Sequence, residues 1–161
     1  MKIKNSILFL IVALLVISCD KNRVFDEYKS VGNSWHKDSI VSFELPQLSQ
    51  EKKFNLFVTL RDNNAYPFNN IFLIVSMEQP NKKVLVDTLE YQMTEADGSL
   101  LGDGFTDVKE SKLFYKENVM FNLKGKYKVD IQQANRQTGK VPGVAKLEGI
   151  SDVGFRIESI Q

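Results

Sequence analysis

Phe54-Asn55-Leu56-Phe57-Val58-Thr59-Leu60-Arg61 decides the fold class. Phe54, Leu56, Val58 and Leu60 alternate with Asn55, Phe57, Thr59 and Arg61, a period of two that sends one set to a buried face and the other outward. The same spacing recurs on either side. Ile71, Leu73, Val75 and Met77 alternate with Phe72, Ile74, Ser76 and Glu78, and this run is apolar enough on both faces to predict a central strand covered on each side. Val41, Phe43 and Leu45 repeat the pattern, as do Tyr127, Val129 and Ile131. Further strands are expected over 84–92, 113–115, 119–123 and 153–158. Turn residues break the chain at 46–52, 62–70, 116–118, 124–125 and 137–143, and 79–83 reads as a hairpin loop. The best place for a helix is one turn over 108–112. Seven to nine short strands with hairpin-length gaps predict an all-β chain, a single antiparallel β-sandwich, jelly-roll-like or immunoglobulin-like.

Working outward, the chain has 161 residues, 43% of them hydrophobic. That suits one domain with a real core and excludes a disordered chain. The 21 basic side chains against 20 acidic ones create no strongly basic surface overall, so nucleic acid is not expected as a partner. A single cysteine, Cys19, precludes an intrachain disulfide, and a single histidine, His36, precludes the usual zinc clusters.

The N-terminus reads as an address. Lys2 and Lys4 precede the unbroken apolar run 7–17, then Ser18-Cys19. A basic region, a short apolar stretch and a small residue before the cut describe a secretory signal, too short at about 1.5 Å per residue to span a core of roughly 30 Å. Val16-Ile17-Ser18-Cys19 resembles a bacterial lipobox, in which the cysteine thiol is lipidated and its freed amine then acylated. The expected organisation is therefore a signal peptide over 1–18, a lipidated N-terminus and tether over 19–34, and the β-sandwich over 35–161. Within the tether, Val24, Phe25 and Tyr28 leave two readings open, a flexible spacer or an edge strand beginning near Val24. Several acyl chains anchor a protein without any membrane helix. Asp20-Lys21-Asn22-Arg23 lacks an acidic export cluster, which favours the periplasmic face of the outer membrane over the cell surface.

Catalytic chemistry finds little to stand on. His36 has no nucleophile elbow to serve, and no phosphate-binding glycine motif follows a strand, so no enzyme is expected. The long loop 94–111 offers Asp97-Gly98-Ser99, Gly102-Asp103-Gly104 and Asp107 as hard oxygen donors. Its spacing lacks the twelve-residue calcium pattern, so a solvated loop is the expectation and a structural calcium the alternative. No cofactor is expected beyond the covalent lipid on Cys19. Trp35, Tyr66 and Phe68 lie in or beside loops and are the candidate partner or glycan contacts, against a plain core role. Arg61 and Arg136 each follow a strand-like run, where pairing with carboxylates is expected.

These features assemble into a resemblance. The lipobox at Cys19-Asp20, Val24-Phe25-Asp26-Glu27-Tyr28, Trp35, Leu60-Arg61 and Tyr66-Pro67-Phe68 come first. Asp87-Thr88-Leu89-Glu90-Tyr91, Leu101-Gly102-Asp103-Gly104 and Gly149-Ile150-Ser151-Asp152-Val153-Gly154-Phe155-Arg156-Ile157-Glu158 follow in order. Together they resemble the GldH family of gliding-motility lipoproteins across nearly the whole chain. The resemblance implies a non-catalytic envelope component, with other gliding or type IX secretion proteins and membrane lipid as partners. Cys19 is the functional position it carries over. A lipid-anchored glycan-binding module is the alternative.

Overall fold

The computed structural model describes residues 20–104, 107–137 and 139–160. Ten strands carry the described chain: β1 (Arg23–Ser30), β2 (Ser34–His36), β3 (Val41–Glu44), β4 (Phe54–Asn63) and β5 (Asn70–Glu78). Then come β6 (Val84–Gln92), β7 (Val108–Val119), β8 (Lys128–Gln133), β9 (Lys146–Glu148) and β10 (Ile150–Ser159). No helix occurs among the described residues.

All pairings are antiparallel and follow one rule: β5 pairs β6, β4 pairs β7, β3 pairs β8, β2 pairs β9 and β1 pairs β10. The chain is thus one long hairpin whose tip is 79–83, where Gln79 N–H donates to Lys83 O at 2.8 Å. Rolling this hairpin adds the pairs β10–β4 and β8–β5 and closes two four-stranded sheets, β1-β10-β4-β7 and β3-β8-β5-β6. That order is a jelly roll, which resolves the two sandwich arrangements left open by the sequence. The short ribbon β2–β9 carries the chain across one end, plugged by Trp35 and Leu147, both fully buried.

The core lies between the sheets. Phe54, Leu56, Val58 and Leu60 face Ile71, Leu73 and Val75, all buried as the period-two reading expects. An aromatic row crosses the sandwich from one open side to the other: Phe25 to Phe43 at 6.5 Å, Phe43 to Phe155 at 6.3 Å and Phe155 to Tyr115 at 6.4 Å between ring centroids. At the far open side Tyr115 Oη donates to Asp87 at 2.6 Å and Lys116 Nζ sits 2.7 Å from the same carboxylate, so edge strands β6 and β7 are joined by polar groups.

The structure corrects several local expectations. Residues 108–112 form the start of β7 and not a helical turn, because as an edge strand it leaves Val108, Glu110 and Lys112 to solvent while Ser111 and Leu113 turn inward. The break expected at 116–118 is absorbed in the same strand by register shifts opposite Phe54 and Leu56, with Asn118 at φ 55°. The strand expected over 119–123 does not form: Val119 ends β7, and Phe121 reaches the core from the loop beyond it, edge-on to Phe54 and Tyr127. β4 runs on through Asp62, which the sequence assigns to a turn. β5 is paired on both sides as expected, but only one of its faces is buried; Phe72 and Ile74 are half-exposed. Within 20–34 the edge-strand reading holds, as β1 pairs with β10 from Arg23 to Ser30.

Candidate functional site

The outer face of the sheet β1-β10-β4-β7 carries the most organised group of exposed side chains. It is built around a missing one. Gly154 on β10 points outward, and a Cβ there would collide with Thr59 Oγ1 and lie 2.8 Å from the Glu27 carbonyl oxygen. The Tyr28 ring occupies that space from the neighbouring strand, with Cδ1 2.9 Å from the same Cβ position. Across it lies Arg61 of β4, its guanidinium carbon 4.2 Å from the Tyr28 ring centroid. Arg61 Nε donates to Glu110 of β7 at 3.1 Å, the carboxylate pairing expected of Arg61. Burial pushes the Tyr28 phenol up to about 12, with the Glu110 carboxylate adding to the effect. The tyrosine therefore stays neutral, and the stacked Arg61 stays charged with its Glu110 bond as the main cause.

A second array runs beside the first. Arg156 of β10 donates from Nη1 to Asp26 at 2.8 Å, from Nε to Glu158 at 2.7 Å and from Nη2 to Asp20. Lys112 of β7 donates to the same oxygen of Glu158, Oε1, at 2.6 Å and stands 4.1 Å from the Phe57 ring centroid. Phe57 meets Phe114 edge-on at 5.5 Å, and Phe114 is 47% exposed. Burial alone would raise the Glu158 carboxyl, but the bonds from Lys112 and Arg156 outweigh it and hold it below the ordinary value. Charges fixed in networks of this kind present a rigid pattern, unlike isolated surface pairs that contribute little. Tyr, Phe and Arg on a preorganised surface are the side chains that carry most binding energy in protein interfaces.

The residues singled out from the sequence fall elsewhere. Cys19 lies outside the described residues, although its neighbour Asp20 is held by Arg156 at the corner of this face. Trp35 is fully buried, with Nε1 donating to the Ser39 carbonyl at 2.8 Å. Tyr66 is buried and donates its hydroxyl to the Asn70 carbonyl at 2.7 Å. Phe68 is half-buried and packs edge-on to Tyr66 at 6.1 Å. Trp35 and Tyr66 are thus core residues with no ring face open to a sugar, because the ribbon β2–β9 and the turn 64–69 fold them onto the sandwich end. Phe68 lines a surface groove of about 500 Å³ beside Pro67 and Val144.

The long loop is ordered by its own backbone: Glu95 N–H donates to Ser99 O at 2.8 Å and Leu101 N–H to Met93 O at 2.8 Å. Asp97 accepts from Ser99 N–H and Oγ–H, and among the described residues no three acids, histidines or cysteines converge as a metal cage. His36 stands at the surface with Nδ1 accepting from the Asp38 N–H at 3.2 Å. Arg136 is exposed and takes part in an isolated backbone bridge with Gly143, with no carboxylate partner among the described residues. The outer-face cluster was missed by the sequence reading except at Arg61. Its available signal was Phe57, an aromatic on the outward set of a strand otherwise apolar only inward.

Fold and face define the class: a jelly-roll β-sandwich presenting a preorganised charged and aromatic sheet face. The chain belongs to the GldH lipoprotein family, whose model matches residues 23–157. It is 67% identical over 158 residues to "Gliding motility lipoprotein GldH" of Flavobacterium johnsoniae, covering 98% of both chains. It is 56% identical over 151 residues to "Gliding motility lipoprotein GldH homolog" of Christiangramia forsetii, covering 94% of this chain and 93% of that one. Among solved structures, one titled for infectious bursal disease virus Gx strain is 10% identical, with a TM-score of 0.43, over 88% of this chain and 33% of that chain.

Proposed function

We propose that the chain is an outer-membrane-anchored gliding-motility lipoprotein, a non-catalytic assembly component of the gliding and type IX secretion machinery. The observation that carries this reading is the 67% identity, across nearly the full length of both chains, to a protein named for gliding motility. The lipobox ending at Cys19 supports a lipid anchor, with the periplasmic face favoured. The outer face of β1-β10-β4-β7 supplies the binding surface for another envelope protein. Its Arg61–Tyr28 stack and Phe57–Phe114 pair are already held in place, so binding costs little side-chain ordering.

The test is complementation of a gliding bacterium lacking its own family member. The variant Arg61→Ala/Phe114→Ser removes the stacked cation and the most exposed ring of this face. Gliding should fall to the level of the deletion strain while the protein accumulates normally in the envelope. Normal gliding with this variant would remove the face from the account.

A further inference from the structure

The connections between strands alternate between the two ends of the sandwich, and the ends differ in charge. The end that holds Asp20 gathers 20–22, 45–53, 79–83, 120–127 and residue 160. Strand register places them together, since Arg23 pairs with Glu158, Phe54 with Val119, and Glu44 with Lys128. Direct contacts join them: Gln50 Nε2 donates to Asn122 O at 2.7 Å, Ile160 N–H to Lys53 O at 3.1 Å, and Gly125 packs against Pro80. These segments contain seven lysines and two acids. The opposite end gathers 31–33, 37–40, 64–69, 93–104, 107, 134–137, 139–145 and residue 149, with three basic residues and five acids among these described residues.

Lys82 and Lys126 are paired, to Glu78 at 2.7 Å and to Glu44 at 3.2 Å. The ammonium groups of Lys21, Lys52, Lys53, Lys83 and Lys124 form no ion pair with any described residue, and all five are exposed. The same end carries two uncovered apolar side chains, Met120 at 42% and Ile160 at 38% exposure. An apolar groove of about 360 Å³ opens beside Met120, lined by Leu85, Val119, Leu123 and Tyr127. Unpaired cations around exposed apolar tips are the chemistry of a surface that meets phosphate headgroups and the acyl boundary beneath them. A protein interface core would be depleted in lysine.

We infer that this basic end docks on an anionic lipid surface, standing the sandwich upright with its acidic end away from the membrane. The inference deepens the reading of a lipid anchor at Cys19, which brings that end within reach: Asp20, next to Cys19, is held at the same end by Arg156. The outer face of β1-β10-β4-β7 is then left free along its length for a partner.

The experiment places the full-length protein, purified from its own envelope, on phosphatidylcholine vesicles with and without phosphatidylglycerol. Exposed amines are acetylated briefly and each lysine is read by mass spectrometry. Labelling of Lys52, Lys53, Lys83 and Lys124 should fall at least about threefold on the anionic vesicles, while Lys37 and Lys140 at the opposite end keep their rates. The protection should vanish in 1 M salt, where the screening length is about 3 Å. In the exposed-surface variant Lys52→Glu/Lys53→Glu/Lys83→Glu/Lys124→Glu, which lacks those four amines, the protection is read at Lys82 and Lys126 of the same end, where it should vanish likewise. Equal labelling on both vesicles, with the protein retained on each, would overturn docking alone. Recovery of the protein free of both vesicles would overturn the anchor and the docking together.

Discussion

Asp62→Asn should stabilise the fold at neutral pH and flatten its pH dependence. Asp62 is fully buried at the end of β4, between Lys109 of β7 and Ile150 of β10 in register. No group of another described residue bonds either carboxylate oxygen. Burial pushes its carboxyl up to about 7, offset only in part by its own backbone N–H. An acid whose pKa is raised on folding binds its proton more tightly in the native state. Its folded form is therefore favoured below the unfolded value near 4, and stability is lost as pH rises from there to about 7. At about 1.4 kcal/mol per unit, three units amount to a loss on the order of 4 kcal/mol across that window. Asparagine has no proton to lose, so the difference in unfolding free energy between variant and wild type should grow from pH 4 to pH 7. Urea titrations at both pH values measure it. A difference that stays constant with pH would mean that Asp62 is solvated or paired.

Trp35→Ala should cost about 3 to 5 kcal/mol, the largest loss expected of any truncation of the three aromatics singled out from the sequence. The indole is fully buried, opposite Leu147 on the short ribbon, and its N–H satisfies the Ser39 carbonyl. Removing it opens a large cavity at the sandwich end and orphans that acceptor. The unfolding midpoint by circular dichroism should drop sharply. A loss below about 1 kcal/mol would mean a ring lying on the surface, free to stack on a ligand.

What was legible in the sequence follows from what period two encodes. Alternation tells which residues of a strand share a face, so Leu56, Val58 and Leu60, or Leu73 and Val75, are recognisably core. It does not tell which strands are neighbours, and jelly-roll and immunoglobulin-like orders draw on the same local pattern. The order became visible only through the pairing of β1 with β10 and β4 with β7, contacts between distant stretches of chain. Edge strands were the hardest to read. In β7, Val108, Glu110, Lys112 and Glu117 face water, so its composition mimics a turn or a helix end.

The candidate face was hidden for the same reason. Gly154 reads alone as a flexible residue, and its purpose appears once register sets it beside Tyr28 and Thr59. Arg61 and its carboxylate were legible because charged residues at strand ends find partners, although which acid it meets depends on β4 lying beside β7. Trp35 and Tyr66 are the converse case, for which the sequence left a core role and a contact role both open. Loop position suggests exposure, yet large rings in the turns of a small sandwich close its ends.

We propose that this domain works while held to a membrane through Cys19. Replacing Cys19 with Ala, then following both envelope fractionation and gliding in the complemented strain, tests it most directly. The Cys19→Ala protein should leave the membrane fraction, and the cells should no longer glide. A Cys19→Ala protein that remains in the membrane fraction, or that supports normal gliding from solution, would contradict it.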